Sequence, residues 1–144
     1  MSKPRYQPIL DKDIPRVPLA SSTDVEETKE CTGGEGDIMS DYVRVIAGNY
    51  GGIEGAAKTF TPVDLFDMIL ATKDKSVDVN IPEGHNTIVF VRRGAIEVQG
   101  QTLNLADVAI LNPSGTKVII KALQENTCVL ILSGQPINEP IAAR

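Results

Sequence analysis

One histidine, two cysteines and no tryptophan leave this chain short of the side chains that most often carry out chemistry. A Cys/His zinc site needs more ligands than these, and a Ser-His-Asp device would have to be built on His85. Cys31 and Cys128 lie far apart without C-x-x-C spacing, so free thiols in a reducing compartment are expected rather than a disulfide. No apolar run approaches the roughly 20 residues of a membrane helix, so no membrane partner is expected. The opening Met1-Ser2-Lys3-Pro4-Arg5-Tyr6 has charge but no apolar segment behind it, and no secretory signal is read there. The expected location is the cytoplasm, or the nucleus if the source is eukaryotic. Basic excess is missing too: Lys+Arg number 14 against 19 Asp+Glu, a net charge of -5. A general nucleic-acid binder needs a basic face, so direct nucleic-acid binding is not expected.

What is present is enough for one domain with a real core: 144 residues, 42% hydrophobic and 23% charged. Pro4, Pro8, Pro15 and Pro18 crowd residues 1–19, where fixed φ and missing N–H groups forbid a helix or a central strand. That stretch reads as an extended arm on the surface. Residues 20–41 are polar and acidic around Gly33-Gly34-Glu35-Gly36, and read as a flexible loop. The glycine cluster is no phosphate loop, since no lysine follows it and no strand–helix context surrounds it.

From Tyr42 onward short β-type runs alternate with turn signals. Val43, Val45 and Ala47 share one face, as do Val77, Val79 and Ile81, while Leu65–Leu70 is a denser apolar run. Thr87–Val91, Ala95–Val98, Val108–Leu111, Lys117–Ile120 and Cys128–Leu132 supply further strands. Gln99-Gly100 and Asn112-Pro113-Ser114-Gly115 read as turns between them. No helical stripe with caps is present. About eight short strands in this length make a sandwich or a barrel, and residues 42–144 are read as that single domain. Ile88, Phe90, Val98, Ile110, Ile120 and Leu130 are expected in its core, subject to strand register.

Several joined motifs carry a resemblance. Val43-Arg44-Val45-Ile46-Ala47-Gly48 with Tyr50-Gly51-Gly52, Thr59–Leu65, Pro82-Glu83-Gly84-His85-Asn86-Thr87 through to Gly94, and Gly134–Ile141 are similar to the C-terminal cupin of the pirin family. Pro4-Arg5-Tyr6-Gln7 with Asp13-Ile14-Pro15 resembles the linker leading into that cupin. The resemblance implies an all-β fold, the cupin-type double-stranded β-helix or jelly-roll barrel. It also marks residues 20–41 as an insertion, and the chain as a single cupin lacking the family's N-terminal one.

In pirins the metal and the quercetin-dioxygenase-type activity belong to the N-terminal cupin, through three histidines and a glutamate. Setting Gly94 against the glycine that closes the first cupin motif puts Asn80, Pro82 and Asn86 near its ligand positions. The second-motif histidine falls near Val118. With one histidine no register supplies three, so no metal, no cofactor and no catalytic residue is expected, which leans away from a self-contained enzyme.

His85, with Asn86 and Glu97 nearby, is the candidate ligand-binding set; the plainer reading is a histidine that caps the Pro82–Gly84 turn. Glu83 and Asp107 are candidate partners of Arg92 or Arg93, and Cys128 reads as a buried small hydrophobe. The resemblance then implies a metal-free cupin that binds an unknown small molecule or another protein. The alternative is the non-catalytic half of a two-cupin dioxygenase, partnered by a second cupin subunit. A homodimer is expected, because a cupin without its usual neighbour should keep an apolar packing surface.

Overall fold

The alternating runs become strands that close on each other face to face. The computed structural model describes residues 8–19, 41–59 and 61–136. Cys31, the Gly33–Gly36 cluster and all of the acidic stretch except Asp41 lie outside these residues, as does the chain beyond 136. A single 3-10 turn, Asp11–Asp13, precedes twelve strands. They are β1 (Arg16–Pro18), β2 (Tyr42–Ala47), β3 (Asn49–Tyr50), β4 (Ile53–Glu54), β5 (Val63–Leu70) and β6 (Ser76–Asn80). Then follow β7 (Asn86–Arg93), β8 (Ile96–Val98), β9 (Gln101–Leu103), β10 (Val108–Leu111), β11 (Lys117–Ala122) and β12 (Thr127–Gly134). No α-helix occurs among the described residues.

A six-stranded sheet in the order β1-β2-β5-β12-β7-β10 faces a four-stranded sheet in the order β6-β11-β8-β9. All their pairings are antiparallel. This is the jelly-roll barrel that the strand pattern and the cupin resemblance predict. Phe66, Met68, Leu70, Val89, Val91, Val129 and Ile131 of the larger sheet meet Val79, Ile96, Val98, Val118 and Ile120 of the smaller one. Fully burying each such side chain is worth about 1.5–3 kcal/mol, so this interface is the main source of stability.

Local chemistry shapes the connections. Gln99 (φ 52°) and Gly100 (φ 78°) form the two-residue hairpin between β8 and β9, with Val98 opposite Gln101. The proline-rich arm supplies β1, an edge strand pairing Arg16 with Arg44 and Pro18 with Tyr42; the edge is where proline is tolerated. Asp41 is not a free loop residue: its Oδ1 accepts from the backbone N–H groups of Ala71 (2.6 Å) and Thr72 (3.1 Å).

Four of the expected core residues are misplaced. Val98 and Ile120 are buried, but Ile88, Phe90, Ile110 and Leu130 belong to the opposite face of the six-stranded sheet, where Ile110 is 78% exposed. Their neighbours Val89, Val91, Val129 and Ile131 hold the core instead. Both faces of β7 and β12 carry apolar side chains, so composition does not say which face turns inward. A one-residue slip exchanges them all.

Candidate functional site

A cavity of about 350 Å³ opens at one end of the barrel. Ile81, Leu111 and Val118 give it an apolar lining, and His85, Thr87, Gln99, Asn112 and Lys117 bring polar groups to it. Two turns hold its rim. The Gly84 N–H donates to the Pro113 carbonyl (2.9 Å) and the Ile81 N–H to the Thr116 carbonyl (2.9 Å), tying the Pro82–His85 turn to the loop before β11. Within that loop Asn112 Oδ1 accepts from the N–H and the hydroxyl of Ser114, each at 3.0 Å. The Asn112 amide is thereby oriented, with its NH₂ end left over as a donor.

His85 is fixed in the same way. Thr87 on β7 and Ser133 on β12 are directly opposed, and the Thr87 hydroxyl donates to Ser133 Oγ (3.4 Å). Ser133 Oγ lies 3.2 Å from His85 Nδ1. Ser133 is fully buried, so its own hydroxyl hydrogen needs an acceptor. In the tautomer with the proton on Nε2, His85 Nδ1 is that acceptor. His85 lines the cavity as an N–H donor as well as sitting in the turn, where its backbone N–H donates to the Pro82 carbonyl (3.2 Å).

The other sequence candidates do not join it. Asn86 is exposed at the start of β7 and does not line the cavity. Glu97 lies on β8 between Thr102 and Lys121, on the face opposite to the buried Ile96 and Val98. Thr87, Ser133, Asn112 and Lys117 were missed. The first two are signalled only by a hydroxyl beside an apolar run, and pairing alone brings them together.

Of the positions set near the cupin ligands, Asn80, Pro82 and Asn86 are exposed and Val118 lines the cavity, where Ile81 and Thr87 join it. Two aliphatic side chains and a hydroxyl do not fit a redox metal, which takes imidazole or carboxylate donors. Among the described residues no three of His, Cys, Asp and Glu converge.

A second polar cluster sits away from the cavity, on the outer face of the six-stranded sheet. Asp67 Oδ2 accepts from Arg44 Nη1 (2.8 Å), and both Asp67 oxygens accept from Arg92, at 2.7 to 3.1 Å. Arg44 and Arg16 also pair with Asp11 of the arm, each at 2.9 Å. Arg92 thus takes Asp67 rather than Glu83 or Asp107; the Asp107 carboxylate instead accepts from the Asn104 N–H (2.8 Å). Cys128 is buried beside this cluster, and burial above all pushes its thiol pKa up.

Comparison with known proteins places these features. The family described as the Pirin C-terminal cupin domain matches residues 66–144. A Pseudomonas aeruginosa protein bearing the name "Putative quercetin 2,3-dioxygenase" is 36% identical over 98% of this chain and 43% of its own length. A Thermoplasma acidophilum protein of the same name is 30% identical over 99% of this chain and 50% of its own. Among solved structures, a quercetin 2,3-dioxygenase from Acinetobacter baumannii superposes with a TM-score of 0.77 at 37% identity, covering 97% of this chain and 42% of that one. The chain spans half or less of the length of these relatives.

Proposed function

The chain belongs to the pirin family through its C-terminal cupin domain, and from that premise we propose that it is a binding cupin: its barrel mouth takes up a small molecule without a redox metal. The observation that carries this reading is the cavity itself. It joins an apolar floor to oriented hydrogen-bond donors, the usual build of a small-molecule pocket. Among the described residues no Cys, Asp or Glu lines it, and the Ser114 hydroxyl is engaged by Asn112 rather than by a base. These groups can bind and orient; they offer no activated nucleophile. A cytoplasmic location goes with this reading. The test is metal analysis of the tag-free chain beside its thermal midpoint with and without chelator. Sub-stoichiometric metal and an unchanged midpoint are expected. Stoichiometric iron, copper or zinc, lost in His85→Ala, would overturn the reading and restore an oxygenase.

A second reading, association with another chain, rests on the outer face of the six-stranded sheet. Two rows cross three strands there: Val108, Phe90, Leu130 and Ile110, Ile88, Leu132. Val108 is 53% exposed at the sheet's open edge. Strand spacing and rise make this block roughly 10–15 Å on a side, well under the ~800 Å² per partner of a standard interface. The occupant that matches it row for row is a second copy about a two-fold axis, in a weak dimer. Sedimentation equilibrium should show concentration-dependent dimer that Ile110→Asp abolishes. A monomer throughout would refute the dimer, and preferential binding of a separate metal-bearing cupin would instead favour the non-catalytic half of a two-cupin dioxygenase.

A further inference from the structure

We infer that the barrel-mouth cavity selects an organic anion: a carboxylate or phenolate carried on a single small apolar ring or short chain. This rests on the small-molecule reading above and specifies its ligand.

The first ground is charge. Acidic residues outnumber basic ones by 19 to 14 along the chain, yet among the described residues the cavity is lined by one cation, Lys117, and no acid. The acid next to Lys117 is Asp78, outside the lining. Its Oδ2 is 3.6 Å from Nζ, with both side chains more than half exposed. Such a pair holds its partners weakly, so the ammonium can turn to a ligand.

The second ground is hydrogen-bond polarity. Asn112 Oδ1 is used up by Ser114, which leaves its NH₂, and the tautomer in which His85 Nδ1 accepts from Ser133 leaves the imidazole Nε2–H. Neither donor has a partner among the described residues. Two donors and one ammonium, with no acid among the described lining residues, match the oxygens of an anion, and charge-assisted hydrogen bonds are the stronger kind. The apolar lining of Ile81, Leu111 and Val118 then receives the body of the ligand, and about 350 Å³ limits it to a small one.

Benzoate and its neutral isostere benzamide separate the possibilities when titrated into the ¹⁵N-labelled full chain. Benzoate should shift the amides of Gly84, Ser114, Gly115 and Lys117 saturably, with benzamide weaker by about tenfold. Lys117→Gln should cost benzoate most of that advantage and leave benzamide unchanged, which a merely structural effect would not do. His85→Gln should weaken both, and its folding is checked by the dispersion of the remaining amides. Equal affinity for the two probes, at these amides, overturns the anion class while the binding reading stands. No shift at these amides with either probe overturns both.

Discussion

Removing the carboxylate at Asp67 is the sharpest perturbation of this fold. Its side chain is 4% exposed and receives two arginines, Arg44 and Arg92, at distances down to 2.7 Å. Breaking a buried ion pair from one side costs about 3–5 kcal/mol, because the remaining charge is left without a partner. Here the penalty is discounted. The Arg92 side chain is 40% exposed and can rehydrate, while Arg44, at 22%, keeps Asp11 at 2.9 Å. Asp67→Ala should therefore cost about 2–3 kcal/mol, which for a chain of this size lowers the thermal midpoint by roughly 6–10 °C. Urea unfolding followed by far-UV circular dichroism reads the first quantity, and a thermal scan the second. Because the pair is buried, 1 M NaCl should not reproduce the loss in the parent chain. A double-mutant cycle with Arg92→Leu should show that the two losses are not additive. A loss below about 1 kcal/mol, the worth of an exposed pair, would refute the reasoning and reduce Asp67 to a surface contact.

Three further outcomes follow from local geometry. Tyr50 packs edge-on against Phe66, and burial, then the Asp78 charge, raise its pKa above 10.0. The folded state therefore holds this proton at a pH where the unfolded chain has released it, so stability should fall as pH rises past about 10. Tyr50→Phe should flatten the slope of urea midpoint against pH between 9 and 11, and an unchanged slope would count against this. In a Cys31→Ser background, Cys128 should resist iodoacetamide at neutral pH until urea unfolds the barrel, since its thiol is buried with a raised pKa; labelling of the native protein would contradict the placement. Ala106 holds φ 70° in the turn closed by the Asp107 N–H on the Asn104 carbonyl, so Ala106→Gly should stabilise by about 0.5–1 kcal/mol in urea titrations.

The fold was legible because period-2 patterns and turn residues state it locally. Val43, Val45 and Ala47 lie on the buried face of β2, and Val77 and Val79 on that of β6, as alternation requires. Alternation failed where both faces of a strand are apolar. In β7, Thr87, Val89 and Val91 point inward and Ile88 and Phe90 outward, and no residue type in that run distinguishes the two sets. Of the site, His85 was legible as the chain's one imidazole. Its partners were not, since Ser133 stands 48 positions away and is brought to it by strand pairing alone. Asp67 leaves a trace in the sequence: a lone charge inside the apolar run Leu65–Leu70 asks for a buried counter-charge.

Two of the three strands that defeated the register reading, β7 and β12, are also the two that join the parts of the molecule. The inward residues of β7 and β12 build the core through Val89, Val91, Val129 and Ile131. At one end the same inward face ends in hydroxyls, Thr87 opposite Ser133, and these orient the imidazole at the cavity. At the other end β7 contributes Arg92 to the Asp67 cluster, while the outward Ile88, Phe90, Leu130 and Leu132 form the apolar face. A slip of one residue between these strands would bury the apolar face, but it would also separate Thr87 from Ser133 and move Arg92 off Asp67. The polar pairs at the two ends thus specify a register that the hydrophobic pattern leaves open. Each pair therefore holds the alignment of β7 in the sheet as well as its own local contact.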